Sequence, residues 1–275
     1  MSGKRPFFLA LVAILILGLP GWGWTGDPVA APPGASQTPP DPGKILRGMT
    51  DYLKSLQQFS FRAEVTDDQV YGQGNKLQYS LDMELFVRRP DKLRVNGQGD
   101  LEKQDLFYDG KTLTIYHKDK NLYATAPMPA TIEEALTQAY KKFDIQVSLA
   151  DLLCGNDTYE FMMDDVTSSL YVGLNRVRGV LCHHLAFTQD DFNWQIWIDA
   201  GDKPLPRKML VSQKLLPGSP QWTAYLTDWH FSPELADSLF TFVAPAEARR
   251  IDFLPPSKPA APKSKSRGSK KGRKS

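Results

Sequence analysis

The chain has 275 residues, 41% of them apolar and 23% charged, with a net charge of +2. This composition suits a folded body with a sizeable core and excludes fibrous, collagen-like and wholly disordered chains. The charge is unevenly placed: beyond Pro255 stand eight Lys or Arg and no acid, and removing those eight from a net +2 leaves −6 for the rest.

The N-terminus, "MSGKRPFFLALVAILILGLPGWGW", places Lys4 and Arg5 before an apolar run of 13 residues, Phe7 to Leu19. That is the pattern of a secretory signal, and it falls short of the about 20 residues a spanning helix needs. Export to the periplasm of a Gram-negative cell is expected. Residues 1–24 then act as a signal peptide or, through Trp22 and Trp24 at the interface, as a retained inner-membrane anchor. Residues 25–41 read as a Pro-rich linker. Residues 255–275 contain no large apolar side chain and read as a disordered basic tail. Residues 42–254 read as one folded domain.

Within that domain, a helix is predicted from Pro42 to Gln58, with Asp41 as N-cap and Ile45, Met49, Tyr52, Leu53 and Leu56 on one stripe. The period then changes to two. In "FSFRAEVTDDQVY", Phe59, Phe61, Ala63 and Val65 share a face. After the turn "GQGN", so do Leu77, Tyr79, Leu81, Met83, Leu85 and Val87. "DKLRV", "DLFYD", "KTLTIYH" and "NLYATA" extend this into a six-strand antiparallel meander. A helix follows over Thr131–Phe143 with a Thr131/Glu134 capping box, then a short one in "SLADLL". Strands resume in "LYVGLNRV", "VLCHHLAF", "NWQIWID", "PRKMLVSQKLL" and "QWTAYLTDWHF". The last structured piece is "DSLFTFVAP". The fold class is therefore α+β: a large antiparallel sheet of about eleven strands, curled into an unclosed half-barrel, with two or three helices over its apolar face.

Few residues suggest chemistry. "DGKT" resembles part of a phosphate loop, but it has one glycine and is followed by a strand, so it reads as a hairpin turn with positive φ at both central residues. In "LCHHLAF", Cys182 and His184 face one way and His183 the other. A metal would need further ligands, and none is expected. The acid pairs Asp67-Asp68, Asp164-Asp165 and Asp190-Asp191 point to opposite sides and form no acid–base dyad. No nucleophile elbow is present. A non-enzyme without cofactor is expected. Cys154 and Cys182 are a candidate disulfide in an exported chain.

"FVRRPDKLRV", "FYDGKTLTIYHKDKNLYATAP" and "SLFTFVAPAEARRIDF", in that order and spacing, resemble the periplasmic lipoprotein carrier LolA and its receptor LolB. "WQIWIDAGDKPLPRKM" with "YLTDWHFSP" is similar to a family of uncharacterised predicted periplasmic proteins on that fold. The resemblance implies an apolar half-barrel with a helical lid, and it implies that Arg89 gates the lid by hydrogen bonds to helix backbone. It departs from the carrier at Thr114, where the carrier has Trp, and in the linker and basic tail.

The expected function is to bind or carry a lipid, acyl chain or lipidated protein. The expected lining is Phe61, Tyr79, Leu81, Met83, Leu85, Leu93, Val95, Leu113, Ile115, Trp194 and Ile196. The alternative is a structural or interaction module of the envelope that uses the basic tail on an anionic surface. Nucleic acid is not an expected partner, and a monomer is expected.

Overall fold

The computed structural model describes residues 39–254 apart from 73, 154–157 and 232. The leader, most of the linker, Cys154 and the basic tail lie outside the described residues. Helix α1 (Pro42–Ser55) begins at Asp41, whose carboxylate accepts from the Gly43 amide at 2.8 Å. Its buried side is Leu46, Met49, Thr50 and Leu53, so the stripe centres on Leu46 rather than Ile45. It ends before Gln58 because Gln58 already pairs with Arg88 in the sheet.

Six strands follow: β1 (Gln58–Tyr71), β2 (Asn75–Arg88), β3 (Lys92–Gly99), β4 (Gln104–Tyr108), β5 (Thr112–His117) and β6 (Leu122–Pro127). Helices α2 (Ile132–Phe143), α3 (Ala150–Leu153) and α4 (Thr158–Met163) come next. Strands β7 (Ser168–Val177), β8 (Val180–Thr188), β9 (Phe192–Asp199), β10 (Pro206–Gln213) and β11 (Gln221–His230) form the second meander, and α5 (Asp237–Phe240) and β12 (Arg249–Arg250) close the chain.

All strands belong to one sheet of order β12-β6-β5-β4-β3-β2-β1-β11-β10-β9-β8-β7. Every pairing is antiparallel except β12 with β6. The two meanders therefore grow outward from the β1–β11 seam, where Ala63 pairs with Leu226 and Val65 with Ala224. The sheet stays open, with β12 and β7 at its edges. This order explains the helices. The segment between β6 and β7 must travel from one side of the sheet to the other, and α2–α4 are what it travels with. They bury the apolar side, here called the inner face, together with α1, which contacts β7, β8 and β9.

Several sequence expectations change. The described residues form twelve strands, because Arg249 and Arg250 add a short parallel strand beside β6. α4 joins the expected helices. The last structured piece, "DSLFTFVAP", is the single turn α5 followed by an extended segment. That segment lies on the outer face, where the Phe242 ring meets Phe107, Tyr116 and Tyr123 at 4.9–5.6 Å. Near Asp109-Gly110 only Gly110 has positive φ (85°), and Asp109 precedes the turn, its carboxylate accepting from the Lys111 and Thr112 amides. A Cβ on Gly110 would stand 2.3 Å from the Asp91 carboxylate, so glycine is required there for space as well as for conformation.

Candidate hydrophobic-ligand site

The register shows which expected lining residues share a rung. Leu85 faces Val95, Val95 faces Leu106, Leu106 faces Ile115, and Ile115 faces Ala124. One rung along, Leu93, Tyr108, Leu113 and Ala126 do the same. Phe61, Met83, Leu85, Leu93, Val95, Leu113, Trp194 and Ile196 are buried, and all belong to one core with α1–α4. Tyr79, Leu81 and Ile115 are half-buried; Leu81 and Ile115 pack against that core, and the Tyr79 hydroxyl lies 3.3 Å from that of Tyr71. Leu77, in the same period, is 49% exposed, on the part of β2 that runs on past its pairing with β3.

The structure gathers these side chains on one inner face and closes that face over. Leu46, Met49 and Leu53 of α1, Ile132, Ala135, Leu136 and Ala139 of α2, Leu152 and Leu153 of α3, and Met162 of α4 fill it. A cavity of about 250 Å³ lies on the opposite side of the sheet, between Phe107, Thr114, Tyr123 and Phe242. One of about 340 Å³ lies along α2. Neither touches the expected lining. Thr114 is buried beneath the C-terminal segment, its hydroxyl 2.8 Å from that of Thr125.

The β2–β3 turn fastens the helices. Arg89 donates from Nη1 to the Leu153 carbonyl, in the last turn of α3, at 2.8 Å. The Arg89 amide donates to Gln57 O at 2.8 Å, and the Pro90 carbonyl accepts from the Ile132 amide, at the start of α2, at 2.9 Å. One turn therefore touches the ends of α2 and α3 and the residue that joins α1 to β1. A helix's last carbonyls lack intrahelical donors, so a guanidinium there satisfies an open acceptor and complements the helix dipole. Nearby, the Tyr108 hydroxyl donates to Pro129 O, and burial pushes the phenol up to about 12, which keeps it a donor. At the other border, Arg47 of α1 pairs with Glu160 of α4 at 3.0 Å and lies 3.7 Å over the Tyr159 ring.

Among the inner-face aromatics that the expected lining lacked, two stand on β11. Trp229 stacks on Phe61 at 4.4 Å, and Trp222 packs against the same core. Strict alternation from Leu226 would place Asp228 inward. Instead Asp228 adopts φ 51°, and the register slips between Ser60 and Arg62, so a bulge turns Trp229 to the inner face. Trp222 had a readable signal, since it alternates with Ala224 and Leu226.

The remaining candidates lie elsewhere. Cys182 is a free thiol, buried on the outer face beside Val177 and Trp197, and burial pushes it up to about 11. Of the expected Cys154–Cys182 disulfide, Cys154 lies outside the described residues, and the described half carries no bond. His184 stacks on Trp197 at 4.0 Å, with its ring nitrogens 2.8 Å from Asn175 Oδ1 and Gln195 Oε1. His183 faces the other way, its Nδ1 3.1 Å from the Tyr171 hydroxyl. Asp68 points outward to Lys76 at 2.9 Å and to the Gln221 amide, away from Asp67. Among the described residues no group of three or more His, Cys, Asp or Glu could hold a metal, and no helix is long and apolar enough to cross a membrane.

Fold and site together define an open antiparallel half-barrel whose apolar inner face is closed by helices. The chain belongs to the family described as "Predicted periplasmic protein (DUF2092)", whose profile matches residues 43–254, and it is accordingly a periplasmic protein. No curated protein matches it. Among solved structures it is similar to the lipoprotein LppX of Mycobacterium tuberculosis (14% identity, TM-score 0.43, covering 70% of this chain and 96% of that one). It is also similar to LprF of Mycobacterium bovis (12%, 0.45, 77% and 100%) and to a LolA superfamily protein of Nitrosomonas europaea (12%, 0.37, 72% and 96%).

Proposed function

We propose that this is a non-enzymatic periplasmic protein that takes a hydrophobic ligand (a lipid, an acyl chain or a lipidated protein segment) onto the inner face when the helices part. The observation that carries the reading is the manner of closure. A wide apolar face is covered by helices, and one turn touches two of them and the connection that leads out of a third, with the Arg89–Leu153 bond as its side-chain latch. An acyl chain of about sixteen carbons would gain on the order of 10 kcal/mol on burial, before entropy costs. That supports uptake without any specific polar contact. Arg89 acts as the gate in this reading, and the half-buried Tyr79, Leu81 and Ile115 are where a ligand would first meet the inner face.

Native mass spectrometry of protein purified from envelope extract tests this. Bound apolar mass is expected, and Arg89→Ala should take up a fluorescent acyl probe faster than the parent chain. Unliganded mass alone, with no displacement of the probe by lipid extract, defeats the reading.

The filled inner face favours one alternative, a module that binds the envelope through its basic tail. Deleting residues 255–275 separates the two. Loss of envelope association with unchanged ligand content supports the module.

A further inference from the structure

The two edges of the sheet are treated differently. At β6 the chain covers its own edge: the Arg249 amide donates to Asn121 O at 3.0 Å and the Ile251 amide to Tyr123 O at 2.8 Å. At the other side, β7 is ten residues long, and nothing among the described residues pairs with its outer edge. Three of its apolar side chains are open to solvent: Leu170 is 60% exposed, Val172 46% and Leu174 51%. An edge strand of this length offers a row of backbone donors and acceptors to another strand.

The usual ways to blunt such an edge are a proline, inward charges or a bulge. Residues 168–177 contain no proline and one charge, Arg176. They do contain a bulge, where the register slips between Tyr171 and Gly173 and Gly173 takes φ 134°. This weakens the edge as a template without removing it.

The charges around β7 select the occupant. Asp164 and Asp165 lie just before the strand, and Arg176 lies near its end. An antiparallel partner with the same sequence, set so that residues 168–173 of the two copies pair, would bring its Arg176 opposite Asp165, and the reverse, so both ends are complementary. A parallel copy would set like charges together. We propose that β7 is a self-association edge, on which a second copy of this chain adds its own β7 antiparallel about a two-fold axis and joins the two sheets into one. Such a contact is isologous: each copy uses its one β7 edge, so it closes at two copies. A single strand pair buries less than the roughly 1,000 Å² of a stable interface, so the dimer is expected to be weak and concentration-dependent. The sequence alone led to the expectation of a monomer.

Sedimentation velocity of the full mature chain over a micromolar to submillimolar series tests the proposal. The parent chain should move from monomer to dimer. The exposed double variant Leu170→Lys/Leu174→Lys should stay monomeric with an unchanged melting temperature. Arg176→Asp should weaken dimerisation about fivefold, and adding Asp165→Arg should restore it. A parent chain that is monomeric throughout, a dimer that survives Leu170→Lys/Leu174→Lys, or growth past two copies each overturns it. A swap that fails to restore dimerisation overturns the antiparallel arrangement.

Discussion

The inner and outer faces of the same strands are held by different physics. On the inner face Phe61, Leu85 and Leu113 are at or below 1% exposure, in one core with the helices. On the outer face the neighbouring residues form a chain of charges: Arg62 meets Glu84 at 3.7 Å, Asn96 lies between Glu84 and Arg94, and Asp105 takes Arg94 at 3.2 Å and Lys118 at 2.7 Å. The lesson is that period-two alternation sorts residues by face but does not say how deeply each face is covered. Helices cover one side broadly, while the C-terminal segment and the β7–β8 turn cover patches of the other.

This contrast can be broken or sharpened by substitution. The largest effect belongs to the inner face. Phe59→Ala should cost about 3–5 kcal/mol in denaturant unfolding, since its ring is fully buried beside the stacked pair Phe61 and Trp229. A loss near the size of a surface substitution would mean that the helices do not pack as described.

Next comes the most buried carboxylate of the outer ladder. Asp105→Asn should cost about 1–3 kcal/mol, because it leaves Arg94 and Lys118 without their shared anion. An effect as large as that of Phe59→Ala would erase the distinction between the faces.

A smaller effect should follow pH. Burial lowers the His184 pKa below its usual 6.5. The folded state therefore favours the neutral ring. This stability is present above pH 6.5 and is lost as pH falls through the lowered folded value. Unfolding free energies measured across that range should decline toward acid, and His184→Gln should flatten the slope. A slope that persists unchanged assigns the pH dependence to other groups.

The smallest effect is expected at Arg62, whose side chain is 63% exposed and whose two acid partners lie at 3.7 and 3.9 Å. Arg62→Ala should change stability by about 0.5 kcal/mol or less, and less still at high salt. A larger, salt-sensitive loss would show that the outer ladder works as a cooperative network.

Much of the inner face was legible because both of its signals are local. Leu81, Met83 and Leu85 alternate without interruption, and Thr131 with Glu134 marks the start of α2, where the Thr131 hydroxyl accepts from the Glu134 amide at 3.2 Å. The parts that were not legible depend on distant or irregular backbone. The bulge at Asp228 reverses the alternation and sends Trp229 inward. Phe242 looks like one more strand residue until the outer-face aromatics Phe107 and Tyr123, more than a hundred residues earlier, are in place to receive it. The seam of β1 with β11 joins residues about 160 apart, and only the finished topology shows that α2–α4 must travel the full width of the sheet.

The central claim is that the inner face receives an apolar ligand. The most direct test is photo-crosslinking with a diazirine-bearing fatty acid, followed by peptide mapping, in the parent chain and in Arg89→Ala. The account predicts crosslinks at Leu81, Met83, Val95 and Ile115, stronger in Arg89→Ala. Labelling confined to the exposed outer residues, or unchanged by Arg89→Ala, would contradict it.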